Sequence, residues 1–556
     1  VDPTLLAELS EQDAVLRHRH LEIWIGSEPT FTDRRSQEPW WLTRAEGGDK
    51  LDRARALLDD LARRLPGRPR VLELPGRHFE GEAAPRFCLG VRFRRGTPLP
   101  DDEVQLTVMP DPGVVEVNTA PAPDLATFLS DAEAIYAAAG AVGLSPIRWR
   151  YNGRGADSGG GGQLTLGGAT PEGSPFLRHP TLLPRLIRFL CNHPSLSYAF
   201  AGECVGSASQ GPRPDEGVRE RFEELQVAVD RLEARGERLL PPELWETLAP
   251  LLVDASGNSH RAELNVEKLW NPFLQGRGRL GLVELRSLRM PSTAGRLAAL
   301  AALFRALVAR LAADPYQEPL ADWGASLHDQ LALPTSLEED LRGVLDDLAS
   351  HGLGLGPTTT ALLLDRSEPL AEIKLERTTL TVVPALEFWP LLGDVASQER
   401  AGARLVDSST ERVEVRITHD RGAAPGRLGA DGWEVPLTSV SSGRRHLAGL
   451  RYRAFVPRPG LHPGLPAQDP LVLTWELEGR RVGVELHGWI PGGGTYPGLP
   501  DDEAEARRRC RERVRVGAPG PLTLRRPLAG GGVTLDLRRL SALRGGEART
   551  MTGGAT

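Results

Sequence analysis

Five segments set apolar residues against carboxylate, amide or guanidinium groups at every second position. In VVEVN (114–118), Val115 and Val117 alternate with Glu116 and Asn118; in GLVELRSL (281–288), Val283 and Leu285 alternate with Glu284 and Arg286. HRAELNVEKL (260–269) sets Ala262, Leu264 and Val266 against Arg261, Glu263, Asn265 and Glu267, and GGQLTLGG (161–168) offers Gln163 and Thr165. Glu28 directly follows LEIWIGS (21–27). Period two places each polar set on one face of a strand. Two kinds of face have this appearance. One is an ordinary solvated antiparallel sheet, on which Glu and Arg form cross-strand pairs. The other is a reactive face: clustered carboxylates repel unless divalent cations lie between them, hard cations take oxygen ligands, and an adjacent arginine suits a phosphate.

The elements that must position these groups are legible in outline. Up to about Pro315 the pattern mixes short alternating strands with amphipathic helices. Leu51, Ala54, Leu57, Leu61 and Leu65 mark one helix, stopped by Pro66 and Gly67, and another runs from Leu182 to Asn192. The longest apolar stretch, Thr293 to Ala313, carries Arg296, Arg305 and Arg310 and repeats Leu297, Leu300, Phe304, Leu307 and Leu311 at helical spacing. That pattern predicts a buried helix instead of a membrane span. Ser336 with Glu339 has capping-box spacing and predicts a helix start, followed by Leu337, Leu341, Val344 and Leu348 and a stop near Gly352. From about Leu370 the chain turns to strands (EIKLERTTLTVV, ERVEVRITH, GLRYRAFV, PLVLTWELEG, VGVELHGW), then a charged helix at Asp501 to Val514. The expected organisation is a domain over 15–315, a helical connector over 316–365 acting as a hinge, and a β-rich domain over 366–515. An aperiodic, poorly ordered tail is expected over 530–556.

Longer motifs then narrow the reading. The series EPTF (28–31), DPGVVEVN (111–118), GGGGQLTLGGATPEGSPFLR (159–178), HPSLSYAF (193–200), SQGPRPDE (209–216), DASGNSHRAEL (254–264) and GLVELRSLRMP (281–291) resembles the bacterial putative amidoligase family. That family belongs to the glutamine-synthetase-like carboxylate-amine ligases and is often fused behind a transglutaminase-like domain, which is not expected within these 556 residues. The likeness continues through LVDSSTERVEV (405–415), LRYRAFVP (450–457) and DEAEARR (502–508). It implies an α+β fold, a glutamine-synthetase-like curved antiparallel sheet with packed helices, followed by the β-rich domain. It also implies ATP-dependent amide formation: a carboxylate is phosphorylated and an amine displaces the phosphate, with Mg²⁺ or Mn²⁺ neutralising phosphate charge.

Carried over residue by residue, the resemblance names Glu116, Glu284 and Arg286 as catalytic, and Glu28, Glu116 and Glu284 as metal ligands together with Gln163. At position 163 the family pattern has histidine; the amide here offers an oxygen that does not titrate. Arg154, Gly160, Gly161, Gly162 and Arg261 are the candidate nucleotide contacts. The glycine run lets backbone amides approach a phosphate but lacks the lysine of a Walker loop, and a hairpin turn is its alternative. Asn118, Asn258, His260 and Glu263 are the candidate substrate contacts; for GNSHRAE a satisfied structural network is the equal alternative. The His-Pro pairs at 179, 193 and 462 read as turn and cap residues.

Composition bounds the partners. The 556 residues carry 67 basic and 74 acidic side chains, a net charge of −7, which gives no global attraction for nucleic acid or anionic lipid. Neither is an expected partner. Small-molecule or peptide carboxylates and amines are, with a transglutaminase-like or peptidase protein as a further one. Four cysteines without CxxC spacing read as reduced thiols of a cytoplasmic protein and offer no zinc site. The chain opens without a basic or apolar leader. Only three of its basic residues are lysines, Lys50, Lys268 and Lys374, which reads as the codon bias of a GC-rich genome. No GxSxG elbow supports a hydrolase. The alternative to a ligase is a non-catalytic scaffold of the same fold beside a peptide-processing enzyme.

Overall fold

The computed structural model describes residues 2–34, 48–65, 70–75, 87–94, 103–109, 114–119, 121–274, 278–365, 368–393, 405–420, 423–440, 443–456, 465–517, 524–525 and 532–540. The first half is built on strands β1 (Trp24–Asp33), β2 (Arg70–Pro75), β3 (Phe87–Arg94), β4 (Glu103–Met109), β5 (Val115–Asn118) and β6 (Leu144–Ser145). A hairpin of β7 (Ile147–Trp149) and β8 (Gly155–Asp157) follows, then β9 (Gly162–Gly167), β10 (Cys204–Val205), β11 (Leu264–Asn265) and β12 (Val283–Leu285). One sheet has the order β11-β12-β9-β1-β5-β4-β3-β2, with β6 also on β1, and its neighbours are antiparallel. This is the α+β class expected, an antiparallel sheet packed with helices.

One face of the sheet is apolar and meets helices. Ile25, Leu164, Leu166, Leu264, Val283 and Leu285 join one core with the helices Leu125–Ala141 and Ala294–Ala313. The second of these starts one residue after Thr293, whose hydroxyl accepts from the Arg296 amide at 3.2 Å. Alanine and leucine on every side make it a helix that can be buried all round, and it is. Its most deeply buried charge is Arg305, 3% exposed, which pairs with equally buried Asp13 and donates to the Ile23 carbonyl at 2.8 Å. Asp13 in turn accepts from the Leu125 amide at 2.9 Å, tying the start of the Leu125–Ala141 helix to the same pair.

The second half follows with β13 (Ala371–Leu375), β14 (Thr378–Ala385), β15 (Glu387–Phe388), β16 (Leu391–Gly393), β17 (Leu405–Val406), β18 (Thr410–His419) and β19 (Arg427–Ala430). It ends with β20 (Trp433–Glu434), β21 (Thr438–Val440), β22 (Arg445–Arg453), β23 (Leu471–Leu477), β24 (Arg480–Leu486), β25 (Val514–Gly517) and β26 (Thr534–Asp536). A sheet β13-β14-β18-β22-β21, with β26 beside β22, shares a core with a sheet β20-β19-β23-β24-β25. EIKLERTTLTVV is two strands, because Glu376 takes a left-handed φ of 49° and turns the chain between β13 and β14.

The halves are joined at several points. β10 pairs in parallel with β15. Tyr198, Val205, Leu327, Leu331 and Leu337 pack with Leu386 and Phe388 in a small apolar cluster. Glu414 of β18, fully buried, accepts from the Thr335 amide at 2.9 Å and its hydroxyl at 2.6 Å.

Three local expectations are corrected. The helix expected to be capped by Ser336 and Glu339 runs Pro334–Ser350, with Pro334 in its first turn; Pro needs no amide partner there, and Ser336 is already inside the helix. Its stop near Gly352 is found, at a φ of 68°. The strand expected over HRAELNVEKL is only Leu264–Asn265, because Ser259–Arg261 is a 3₁₀ turn and the Leu269 amide closes a turn onto Val266. Within the expected tail, 532–540 is structured: β26 pairs with β22, and Asp329 accepts from the amides of Val533 and Thr534 at 2.8 and 2.7 Å. Residues 541–556 lie outside the described residues.

Candidate active site

The register of the sheet decides which polar groups share a face. Glu28 of β1 stands opposite Gln163 of β9, Thr165 of β9 opposite Glu284 of β12, and Glu284 opposite Asn265 of β11. On the other side of β1, Thr30 stands opposite Glu116 of β5. Directly opposed residues point the same way, as do residues two apart on one strand. Glu28, Glu116, Asn118, Gln163, Thr165, Glu284 and Asn265 therefore all lie on the face opposite the helical core.

The tightest grouping is around Glu284, 2% exposed, and Glu28, 7% exposed. Arg286 donates through one terminal nitrogen to Glu284 and through Nε to the His260 carbonyl at 2.8 Å. The Lys268 ammonium touches Glu28 and lies 3.4 Å from Glu284. Two buried carboxylates are thus held by two cations. Burial alone would push the Glu284 carboxyl up, but Arg286 and then Lys268 outweigh it and hold it below the usual carboxylate range. Burial, and then the charge of Glu284, push Glu28 the other way, above that range. Burial opposes the charge on Lys268, and Glu28 and Glu284 overcome it, so the ammonium is held above its ordinary value.

Gln163 is 2% exposed; its amide nitrogen donates to the Gly160 carbonyl at 3.2 Å, and its oxygen is buried without a hydrogen-bond donor. An unpaired buried acceptor on the same sheet face as two carboxylates adds to them a neutral, hard oxygen donor. Among the described residues no three His, Cys, Asp or Glu side chains converge as a metal cage. Such a set still fits Mg²⁺ or Mn²⁺, because these ions are commonly held by one or two carboxylates and complete their shell with water and substrate phosphates.

The glycine run is a packed hairpin. The amides of Gly159, Gly160 and Gly162 donate to Asp157, Ser158 and the Leu288 carbonyl. A Cβ on Gly160 would lie 2.8 Å from Thr30 Cγ2, and one on Gly162 would lie 2.6 Å from Pro291 Cδ. Glycine here lets β9 approach β1 and the residues after β12. Gly159 and Gly161, with Arg148 and Arg289, also line a cavity of about 220 Å³.

The remaining candidates separate. Glu116 accepts from Asn118 at 2.8 Å, one strand further along the face. Arg154 pairs with Glu411 of β18 and so belongs to the seam between the halves. Asn258 caps its own turn, accepting from the His260 amide at 2.9 Å, and the His260 ring is exposed beside Glu267 at 3.5 Å. It is the His260 carbonyl that orients Arg286. Arg261, half-buried in the same turn, donates its amide to Asn258 at 3.2 Å. Glu263 is buried 3.7 Å from Arg213, a residue also bound to Asp215 and to the Leu190 and Cys191 carbonyls, so it joins a structural network; burial pushes its carboxyl up against the pull of Arg213. Lys268 was missed, although its rarity in an arginine-writing chain was a signal. Cys191, Cys204 and Cys510 are free thiols. No helix among the described residues is long and apolar enough to cross a membrane.

A family model described as "Putative amidoligase enzyme (DUF2126)" matches residues 95–538. The chain belongs to this amidoligase family. The match spans β4 to β26, so it includes the β-rich half as well as Glu116, Gln163, Lys268, Glu284 and Arg286. Similar solved structures include "GmaS/ADP complex-Conformation 1" and "Apo GmaS without ligand", at 14% and 15% identity, each covering 65% of this chain and 71% of the other, with TM-scores of 0.31 and 0.30. "Crystal structure of novel glutamine synthase homolog" aligns at 15% identity over 65% of this chain and 69% of the other, with a TM-score of 0.27. Global agreement this low carries no residue correspondence. No curated protein matches the amidoligase-family chain.

Proposed function

We propose that the protein is an ATP-dependent amidoligase that joins a carboxylate to an amine or ammonia through an acyl phosphate. The observation that carries the reading is the grouping of Glu28, Gln163, Glu284 and Arg286 on one sheet face, with an unpaired oxygen on Gln163. A bound Mg²⁺ or Mn²⁺ would supply charge neutralisation at the nucleotide phosphates. Glu28 and Glu284 would hold it, with the Gln163 oxygen as a neutral third donor. Arg286, fixed by the His260 carbonyl and by Glu284, keeps a rigid guanidinium at the edge of this group, placed to bind a transferring phosphoryl oxygen. Glu116 and Asn118, further along the same face, are placed to orient the carboxylate or amine substrate. Burial around Glu28 and Glu284 excludes water, which protects an acyl phosphate from hydrolysis before the amine attacks.

The chemistry balances without another reactant. A carboxylate oxygen attacks the γ-phosphorus and ADP leaves; the amine then attacks the acyl carbon, and phosphate departs with the former carboxylate oxygen. Full-length protein incubated with ATP, Mg²⁺, amines and ¹⁸O-labelled carboxylates should release phosphate that carries ¹⁸O. Phosphate without the label would point to simple ATP hydrolysis and sink the ligase reading. Nucleotide and metal binding with no turnover on any pool would support the scaffold alternative.

A further inference from the structure

We infer that Lys268 is a built-in counter-ion that exchanges with the metal ion: its ammonium holds the place between Glu28 and Glu284 that a divalent cation takes on binding. The inference rests on the reading of these carboxylates as metal ligands. Glu28 on β1 and Glu284 on β12 flank β9 on one face, and two buried like charges so placed repel unless a cation stands between them. Lys268 is in contact with both.

Of the two cations in the group, only one is built to leave. Arg286 is 10% exposed and its guanidinium is anchored by the His260 carbonyl. The Lys268 side chain is 33% exposed, and among the described residues its ammonium is paired with the two carboxylates. Its backbone is pinned, since its carbonyl accepts from the Leu280 amide at 2.9 Å and the Leu282 amide at 3.3 Å. Displacement therefore moves the four-carbon stem and not the loop, and the ammonium stays tethered at the rim of the site. A lysine is the suitable residue, because its compact charge mimics a metal ion and its stem is flexible, whereas the planar arginine fork is not so easily displaced. The chain writes arginine almost everywhere else, and Lys374, on β13, is exposed on a surface strand.

The test is Mn²⁺ titration of the full-length protein without nucleotide, by calorimetry, for wild type and Lys268→Met. Removing the competing ammonium should tighten Mn²⁺ binding about tenfold. Equal or weaker binding by the variant, with binding by wild type retained, overturns the exchange while leaving the metal site in place. Absence of Mn²⁺ binding in both proteins, with or without a non-hydrolysable ATP analogue, overturns the reading of the site itself. A second measurement does not depend on the variant folding. With three lysines in the chain, amine acetylation followed by mass spectrometry resolves each one. Mn²⁺ should raise the modification of Lys268 several-fold relative to Lys374, and an unchanged ratio overturns the exchange.

Discussion

At the scale of single residues, Glu284 has two tasks, and they can be separated. It balances Arg286 and Lys268 in a buried setting and, in the proposed reaction, holds the metal. Glu284→Gln should abolish ¹⁸O transfer and also destabilise the fold, by about 3–5 kcal/mol, because the buried Arg286 guanidinium loses its carboxylate partner, while Lys268 keeps Glu28. Activity must therefore be read at a temperature where circular dichroism shows the variant folded; unchanged turnover there would dismiss the site. Arg286→Lys keeps the charge but cannot reach both the His260 carbonyl and Glu284, and should lower kcat about 10²-fold. Gln163→His tests the neutral donor. At pH 8 the variant should bind Mn²⁺ more tightly than wild type with nucleotide present, and the gap should close as the pH falls below about 6.5, where the new imidazole becomes cationic. Identical affinities at both values would place residue 163 away from the metal.

At the scale of elements, the site exists because three strands come very close. Gly162→Ala would set a Cβ 2.6 Å from Pro291 Cδ, so the segment after β12 must move outward from β9. That overpacking should cost about 1–3 kcal/mol and weaken Mn²⁺ binding, although residue 162 carries no ligand atom. A variant with wild-type affinity would show that the spacing of β9 and β12 does not set the site. Behind the sheet, Arg305 and Asp13 brace two helices from within the core. Arg305→Met leaves Asp13 buried without its cation and should lower the unfolding free energy by about 3–5 kcal/mol in urea denaturation.

At the scale of the whole molecule, the seam between the halves is structural. A fragment ending near residue 350 would take Glu414 from Thr335, β15 from β10, and Leu386 and Phe388 from the cluster around Tyr198. It is expected to melt at a lower temperature and less cooperatively than the full chain. A fragment as stable and active as the full chain would show the seam to be dispensable. The seam also predicts a pH dependence. His328 stacks on Phe388 at 3.3 Å between ring centroids, and burial, then the charges of Arg412 and Arg451, push its imidazole down to about 4. In the unfolded chain histidine titrates near 6.5. Between these values only the unfolded state takes up the proton, so stability held above about pH 6.5 is lost progressively as the pH falls toward 4. Urea midpoints at pH 7.5 and 4.5 should differ less for His328→Phe than for wild type.

Local periodicity determined the helices and the parity of the strands. The spans Leu182–Asn192 and Thr293–Ala313 were legible because a buried helix repeats apolar residues every three or four positions, and alternation alone placed Glu116 with Asn118 and Glu284 with Arg286. Alternation failed where side-chain caps and turns overrode it, as in the 3₁₀ turn at Ser259–Arg261, and Glu263 meets Arg213 beside a bond from its own amide to the Pro212 carbonyl. Only the tertiary structure decided which faces meet. Glu28 and Glu284 are separated by more than 250 residues and come together because β9 pairs with both of their strands. Arg154 goes to Glu411, and Lys268 enters between the two carboxylates, through contacts that no local pattern encodes. The physical reason is that strand pairing over long separations is selected by the burial of the opposite, apolar face, while the polar groups are carried along with it.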